Sequence, residues 1–139
     1  MAIERTYGMI KPDAVAAGNT GNILAMVEAA GLRIVALRKT RFTLADAQAF
    51  YKVHSERGFY AELCQFMSSG PIVVMVLEGE GAIARWRDLM GPTDSTKAGP
   101  DTVRGRYGTD IGRNAVHGSD APKTADEETL FAFAARELL

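Results

Sequence analysis

The residues best suited to chemistry lie in one short segment, Asn114 to Asp120, which holds one of the two histidines of the chain. Small and hydrogen-bonding residues surround His117, so we expect its ring to be reachable from outside. Ala115 and Val116 just before it predict a short strand that delivers the ring to a fixed place. A histidine so placed acts as a nucleophile, a general base or a metal ligand. The competing interpretation is a turn with a solvent-exposed imidazole.

Three cations lie at the ends of predicted elements or in loops, where functional residues concentrate. Lys11 ends the first predicted strand, Arg87 lies late in a predicted helix, and Arg104 lies in a long irregular loop. Converging on one cleft, they would neutralise a polyphosphate, with Thr93 adding a hydroxyl donor. Taken singly, each cation is better explained as a solvated surface charge, and Thr93 as part of a turn.

Aromatic and acidic residues supply the remaining candidates. Phe59 lies at the tip between two predicted helices, where an exposed ring either stacks on a base or closes the hairpin. Tyr51, on the preceding helix, is expected to face a cleft. Glu128, one turn into the last helix, either orients His117 or Ser119 or supplies favourable charge near the helix N-terminus.

Size and composition predict one domain over residues 1–139 with a single core. The chain has 47% hydrophobic residues and a formal net charge of -1, so we expect neither nucleic acid nor a membrane as a partner. No signal-peptide apolar region appears near the start, and the longest apolar run, Ile72 to Leu77, is too short to cross a bilayer. Cys64 is the only cysteine, which excludes an intrachain disulfide and favours the cytoplasm.

Alternation and helical periodicity divide the chain into elements with clear end signals. The run Ile72 to Val76 is apolar on both faces and should lie in the centre of the sheet. Capping boxes are predicted to open helices at Thr43 and at Thr124, and Gly31 should end the first helix. The predicted strands are 6–10, 32–38, 71–77 and 115–116; the predicted helices are about 23–30, 44–53, 59–67 and 82–90 and one opening near 124, with an irregular loop over 93–113.

This order of elements requires a mixed or antiparallel sheet with helices packed on it. A ferredoxin-like βαββαβ arrangement with extra helices fits it. The predicted fold class is therefore α/β (α+β), a sandwich in which helices cover a four-stranded, mainly antiparallel sheet. A Rossmann fold fits less well, because no G-x-G-x-x-G follows a strand and Gly91-Pro92-Thr93 is not a Walker loop.

In this order the candidate residues resemble the nucleoside diphosphate kinase family over nearly the whole chain. The segment Asn114-Ala115-Val116-His117-Gly118-Ser119-Asp120 looks like the family signature, which is highly specific. The other similar motifs, in order, are Ile10-Lys11-Pro12-Asp13, Phe50-Tyr51, His54-x-x-Arg57-x-Phe59, Ser69-Gly70-Pro71, Leu77-Glu78-Gly79, Arg87-x-x-Met90-Gly91-x-Thr93 and Thr102-Val103-Arg104.

The resemblance implies a ping-pong phosphotransferase that moves the γ-phosphate of a nucleoside triphosphate to a nucleoside diphosphate. Nδ1 of His117 would attack the phosphate and hold it as phosphohistidine. By the same likeness, the binding residues are Lys11 for the transferred group and the ribose 3′-hydroxyl, Arg87, Thr93 and Arg104 for the phosphates, Asn114 for the sugar, and Phe59 with Ile111 for the base. The supporting residues are Tyr51 beside the phosphoryl group, and Ser119 and Glu128, which orient the second imidazole nitrogen.

The resemblance also implies a cofactor and partners. Mg²⁺ would bridge the nucleotide phosphates, and no Asp/Glu cluster suggests a protein cage for it, so we expect it to arrive with the nucleotide and to reach Asp120 through water. The partners would be nucleoside di- and triphosphates and further copies of the chain. The end at Leu139 favours a tetramer over a hexamer, both built from dimers.

Two other functions compete with this one. The main alternative is a non-catalytic nucleotide-binding regulatory module on the same fold. A module of that kind would not need His117 together with Lys11, Arg87 and Arg104. A phosphocarrier fed by a partner protein would not need the phosphate-clamping arginines or Phe59.

Four positions depart from the family pattern, and none removes a catalytic group. Gly58 and Tyr60 stand where Pro and Phe are commoner, which bears on the stiffness of the nucleotide-binding hairpin. Ser95 and Asp101 stand where Pro and Gly are frequent, in a loop that packs between subunits in the family. Asp101 is expected to need a left-handed conformation, which Asp tolerates better than most residues.

Overall fold

A computed structural model describes residues 2–139, as four strands and seven α-helices with short 3-10 turns between them. The strands are β1 (Ile3–Ile10), β2 (Arg33–Thr40), β3 (Ile72–Glu80) and β4 (Val116–Gly118). The helices are α1 (Pro12–Ala16), α2 (Thr20–Ala29), α3 (Leu44–Phe50), α4 (Tyr60–Met67), α5 (Ala82–Met90), α6 (Val103–Tyr107) and α7 (Pro122–Ala132).

The four strands form one sheet in the order β2-β3-β1-β4. Neighbouring strands are antiparallel, with β1 between β3 and β4 and with β2 on the outer side of β3. Strands β1 and β2 follow each other in the chain but are not neighbours in the sheet, and the same holds for β3 and β4. Helices connect the strands of each pair, which gives the ferredoxin-like arrangement. The predicted α/β (α+β) sandwich is confirmed.

Both faces of the sheet are covered because the central strands are apolar on both sides. On one face of β3, the side chains of Val73, Met75 and Leu77 pack with α2 and α5. On the other face lie Ile72, Val74 and Val76. The prediction that this run lies in the sheet centre is confirmed, since every residue from 72 to 77 is buried.

Strand β4 is short, and its register decides where its middle residue points. His117 lies opposite Met9 of β1, so its side chain shares the face that carries Tyr7 and Met9. Gly118, opposite Gly8, faces Trp86 of α5 instead, and a Cβ at Gly118 would lie 2.6 Å from Trp86 Cδ1 and Nε1. Glycine is therefore required for β4 to lie close to α5.

Two of the predicted helix-end signals act as expected. Thr43 caps α3, since its side chain accepts from the Asp46 N–H at 3.0 Å and the Asp46 carboxylate accepts from the Thr43 N–H at 2.9 Å. Gly31, with φ of +82°, follows the last turn of α2 in the left-handed conformation that glycine adopts freely.

Several predicted boundaries are wrong because short helices have no periodicity to read. Pro12 opens α1, a helix that was not among the predicted elements, and α6 lies inside the segment expected to be irregular. Helix α3 ends at Phe50, and a 3-10 turn follows it. Helix α7 begins at Pro122, not near Thr124, because proline is suited to the first helical position. The Thr124 hydroxyl instead accepts from the Ala121 N–H at 3.1 Å.

The expected left-handed conformation of Asp101 is also wrong, because Ala115 is the only non-glycine residue with positive φ in residues 2–139. Asp101 adopts an ordinary conformation and faces Arg106 at 3.7 Å. Among the helices that the structure describes, none is long and apolar enough to span a membrane.

Candidate active site

The imidazole of His117 is held through one nitrogen and leaves the other available. Its Nε2 lies 3.0 Å from Oε1 of Glu128, which projects from α7. The Ser119 hydroxyl donates to the same carboxylate oxygen at 2.6 Å. Because a carboxylate only accepts, Nε2 must carry a hydrogen, and Nδ1 of a neutral ring then presents its lone pair. The His117 side chain remains 20% exposed, so this lone pair can meet a ligand.

Aromatic rings enclose the imidazole on the protein side. The ring centroid of Phe50 lies 5.4 Å from that of His117, and those of Tyr7 and Tyr51 lie 6.1 and 6.2 Å away. All three meet it edge to face, which limits rotation of the ring without offering it a competing hydrogen bond. On the opposite face of the sheet, the Trp86 N–H donates to the His117 carbonyl at 3.3 Å.

Tyr51, a predicted site residue, is buried beside this ring, and its hydroxyl makes no hydrogen bond within the described residues. Burial, with the nearby charge of Glu128, raises the pKa of Tyr51, which therefore stays a neutral phenol. An unpartnered buried hydroxyl is costly unless a ligand accepts from it.

Lys11 and Asn114 meet although 103 positions separate them. The Lys11 ammonium donates to Asn114 Oδ1 at 2.8 Å, and Asn114 Nδ2 donates to the Thr93 carbonyl at 3.1 Å. Burial, together with the neighbouring charge of Arg104, lowers the pKa of Lys11 to about 8. An incoming anion would offset the free-energy cost of keeping the buried Lys11 ammonium charged beside Arg104.

Arg104 is buried and organises the backbone around these groups. Its guanidinium donates to the carbonyls of Gly91, Asn114 and Val116 at 2.8, 3.2 and 2.9 Å. Burial and the charge of Arg87 lower its pKa to about 10, which leaves it charged at neutral pH. Since a guanidinium has five N–H groups, two remain for a ligand. Arg87 itself is exposed and lies near enough to Arg104 for its charge to lower the pKa of that guanidinium.

The candidate base-binding residues lie at the rim. Phe59 is 50% exposed and Ile111 is 65% exposed. The Phe59 ring lies 5.6 Å from that of His54, which stacks at 6.4 Å on Tyr51. Phe59 is thereby linked through His54 to the rings beside His117.

Asp120 lies at the mouth of the site, where it is exposed. One of its oxygens accepts from the Thr124 hydroxyl at 2.8 Å. Residues 2–139 contain no group of three or more His, Cys, Asp or Glu side chains close enough to hold a metal ion.

Four residues of this site had no role predicted from the sequence, although Phe50 and Asp13 stand in the motifs that carry the resemblance. Phe50 and Tyr7 wall the ring, Trp86 fixes the backbone of His117, and Asp13 accepts from the Ala115 N–H at 3.1 Å. Signals for two of them existed, because Phe50 precedes Tyr51 and Tyr7 shares a strand face with residues opposite β4. Phe50, Tyr7 and Trp86 carry no charge, and Asp13 accepts from a backbone N–H, so residue type alone did not mark them.

Together the geometry suits transfer of a tetrahedral anion. A nitrogen lone pair faces an opening, and its other ring nitrogen is held by a carboxylate that can stabilise the cation formed when the ring is substituted. The ammonium of Lys11, the guanidinium of Arg104 and the phenol of Tyr51 all lie against residues 114–117. An arrangement of this kind binds phosphoryl oxygens and balances their charge.

Comparisons with known proteins agree with this chemistry. The family model described as nucleoside diphosphate kinase matches residues 4–138. Among curated proteins, the nucleoside diphosphate kinase of Jannaschia sp. (strain CCS1) is 57% identical over 100% of this chain and 99% of its own length. That of Roseobacter denitrificans is 54% identical with the same coverage.

Solved structures of the same family have nearly the same backbone. A crystal form of the Aquifex aeolicus nucleoside diphosphate kinase superimposes with a TM-score of 0.97 at 48% identity, over 99% of this chain and 100% of that one. The Halobacterium salinarum nucleoside diphosphate kinase, in complex with CDP, gives a TM-score of 0.95 at 38% identity, over 99% of this chain and 92% of that one.

Proposed function

Since the chain belongs to the nucleoside diphosphate kinase family and is thus a nucleotide phosphotransferase, we propose that His117 is the residue that carries the phosphoryl group between nucleotides. The observation that supports this role most is the 3.0 Å contact of its Nε2 with Glu128, because that contact reserves Nδ1 for attack. We infer that the unit of function is one domain over residues 1–139.

The proposed reaction has two symmetric halves. In the first, Nδ1 forms a bond to the γ-phosphorus of a nucleoside triphosphate while the bond from that phosphorus to the β–γ bridging oxygen breaks. The diphosphate leaves with the electron pair of the broken bond, and Glu128 stabilises the charge on the substituted ring. In the second half, the terminal oxygen of another diphosphate attacks the phosphohistidine and releases the imidazole.

The surrounding residues supply charge and position. Lys11 donates to the transferred group and to the ribose 3′-hydroxyl, and Arg87, Thr93 and Arg104 hold the remaining phosphates. Tyr51 offers its unpartnered hydroxyl to the same group. Since phosphoryl transfer demands little covalent work beyond these contacts, positioning and charge stabilisation account for most of the catalysis.

The nucleoside would lie between the exposed side chains of Phe59 and Ile111 and the buried amide of Asn114. Asn114 hydrogen-bonds the sugar, and the base lies between Phe59 and Ile111, the two exposed apolar side chains of the rim. Stacking uses the π-face that every base has, and no base-edge hydrogen bond is assigned. We therefore infer broad acceptance of purine and pyrimidine nucleotides.

Members of this family act with a divalent cation, and we propose Mg²⁺ for this chain. The donor set fits an ion brought by the nucleotide. Asp120 has an exposed carboxylate, and residues 2–139 contain no group of three or more metal-ligating side chains around it. Asp120 would contact the ion through a water molecule. The ion would supply neutralisation of the nucleotide phosphates.

We further propose that the chain works as a homo-oligomer built from dimers, a tetramer in preference to a hexamer. Strand β2 supports this, because among the described residues it pairs only with β3, and its eight residues leave one edge open. Beside it runs a groove lined by Ile34, Leu37, Phe133 and Leu139. A second copy of the chain, adding its own β2, would pair both edges. The buried lone Cys64 is consistent with a reducing compartment, and a cytoplasmic location stays a prediction.

Phosphoenzyme labelling tests the role of His117. The protein is incubated with ATP labelled in the γ-phosphate and Mg²⁺, and we expect acid-labile, alkali-stable label on His117 that moves to added GDP. His117→Gln should lose both label and exchange while keeping its fold. His54→Gln, which changes the only other histidine, is the matched control and should still be labelled.

Two outcomes would contradict the role proposed for His117. Label that persists in His117→Gln would assign the phosphoryl group to another residue. Nucleotide binding without label in the unaltered protein would favour a regulatory module instead.

A further inference from the structure

The backbone just before His117 adopts a rarely populated conformation. Ala115 has φ of +71°, and the Val116 N–H donates to the Asn114 carbonyl at 2.8 Å. A two-residue hydrogen bond with positive φ at the central residue is a γ-turn of the rare, strained kind. Such a turn persists only where the surrounding structure holds it, and it marks functional sites.

Two residues of the opposite segment hold this turn by its central residue. The Lys11 N–H donates to the Ala115 carbonyl at 2.8 Å, and Asp13 Oδ2 accepts from the Ala115 N–H at 3.1 Å. Ala115 is fully buried, so its N–H has no water to replace Asp13. The other Asp13 oxygen, Oδ1, is buried without a hydrogen-bond partner within the described residues, which shows that this carboxylate is kept at a cost.

The turn connects the parts of the site that must stay in register. On one side, Asn114 meets the Lys11 ammonium through its side chain and Arg104 through its carbonyl. On the other side, Val116 enters β4 and places His117 opposite Met9. A change of φ at Ala115 would therefore move the sugar- and phosphate-binding groups relative to the attacking nitrogen.

We propose that Asp13 is a positioning residue: by accepting from the Ala115 N–H it keeps the γ-turn closed and sets the distance between His117 and the bound phosphates. The proposal rests on the role given above to His117. The competing role for Asp13 is favourable charge in the first turn of α1, a helix of five residues. An uncharged acceptor at position 13 would be enough to hold the Ala115 N–H, but it would not supply negative charge to α1.

Three variants separate these roles. Asp13→Ala removes the acceptor and the charge, Asp13→Asn keeps an acceptor without the charge, and Ala115→Gly removes the penalty of positive φ. We expect Asp13→Ala to slow phosphoenzyme formation at saturating nucleotide by about 10- to 100-fold, the size of effect that a small misplacement produces. Asp13→Asn should stay within about threefold of the unaltered protein, and adding Ala115→Gly to Asp13→Ala should restore most of the lost rate.

A second readout does not depend on the chemistry of His117. In NMR spectra, the ring resonances of His117 and the amide resonance of Ala115 should shift in Asp13→Ala and return in Asp13→Asn. Thermal unfolding of each variant checks that the fold is kept. If labelling of the unaltered protein were found elsewhere than on His117, these resonances would still decide whether Asp13 sets the turn.

The results that would overturn the proposal are specific. An unaltered rate and spectrum in Asp13→Ala would remove any positioning role. Equal loss in Asp13→Ala and Asp13→Asn, with no rescue by Ala115→Gly, would assign Asp13 to the charge of α1.

Discussion

At the scale of single residues, hydrogen bonds to known partners determine what each group can do. His117 has two ring nitrogens, and a sequence does not say which of them is free. Glu128 decides it, since its Oε1 accepts from Nε2 at 3.0 Å. From the sequence alone, favourable charge at the start of α7 explained Glu128 better, because nothing local links positions 117 and 128.

The lowered pKa of Lys11 predicts a pH dependence. A lysine is charged below its pKa, so the free protein loses this cation as the pH rises through about 8. We expect kcat/KM for the nucleoside triphosphate to fall above that pH, approaching tenfold per pH unit, because kcat/KM reports ionisations of the free enzyme. Steady-state rates at limiting nucleotide from pH ~7 to ~10 measure it.

Lys11→Ala is the control for this profile. It should be much less active, and its residual kcat/KM should lack the alkaline decrease. An identical decrease in that variant would assign the ionisation to a different group.

At the scale of elements, the connection between α3 and α4 acts as an arm that carries Phe59 away from the core. Phe59 is half exposed, and Val53 in the preceding 3-10 turn is 84% exposed, so this arm buries little of its own surface. Gly58 adds backbone freedom where the family more often has proline. The exposed ring of Phe59 on this arm is therefore free to stack on a base, as proposed above.

Replacing Phe59 measures what that tip contributes. We expect Phe59→Ala to weaken nucleotide binding by ~1–3 kcal/mol, the value of one base–aromatic stack, or about 5- to 150-fold in Kd. Calorimetric titration with a nucleoside diphosphate measures it. Val53→Ala, which shortens another exposed side chain of the same arm, should bind as the unaltered protein does. Unchanged binding in Phe59→Ala would place the ring in a purely structural role.

At the scale of the whole molecule, β2 is the longer of the two edge strands of the sheet, with eight residues against three in β4. Leu37 on that strand is 49% exposed and lines the groove beside it. Exposed, unpaired strand edges invite pairing with another chain, so natural proteins cover them. A second copy covers this edge in the proposed dimer.

Charge placed on this edge should separate the subunits. We expect Leu37→Glu to shift the protein to smaller species in sedimentation velocity, because the pairing would bring two like charges together in an apolar groove. Leu130→Glu changes a leucine on α7 that is 68% exposed and outside the groove, and it should leave the sedimentation coefficient unchanged. An oligomer that survives Leu37→Glu intact would place the interface on a different surface.

The sequence by itself determined the long elements and singled out His117 as the residue that we propose to react. Helix α5 was predicted with its observed bounds, and β3 was predicted as the buried central strand because a continuous apolar run indicates burial on both faces. His117 was recognisable because few side chains can be nucleophiles and only two histidines are present.

Only the tertiary structure decided how distant residues meet. The contacts of Lys11 with Asn114 and of Asp13 with Ala115 cross more than 100 positions, and they follow from strand order, not from any local pattern. The short helices α1 and α6 also escaped prediction, because five residues span little more than one turn and tertiary packing stabilises them. Local periodicity records which residues are buried, whereas the γ-turn and the choice of the free nitrogen of His117 depend on groups that folding alone brings together.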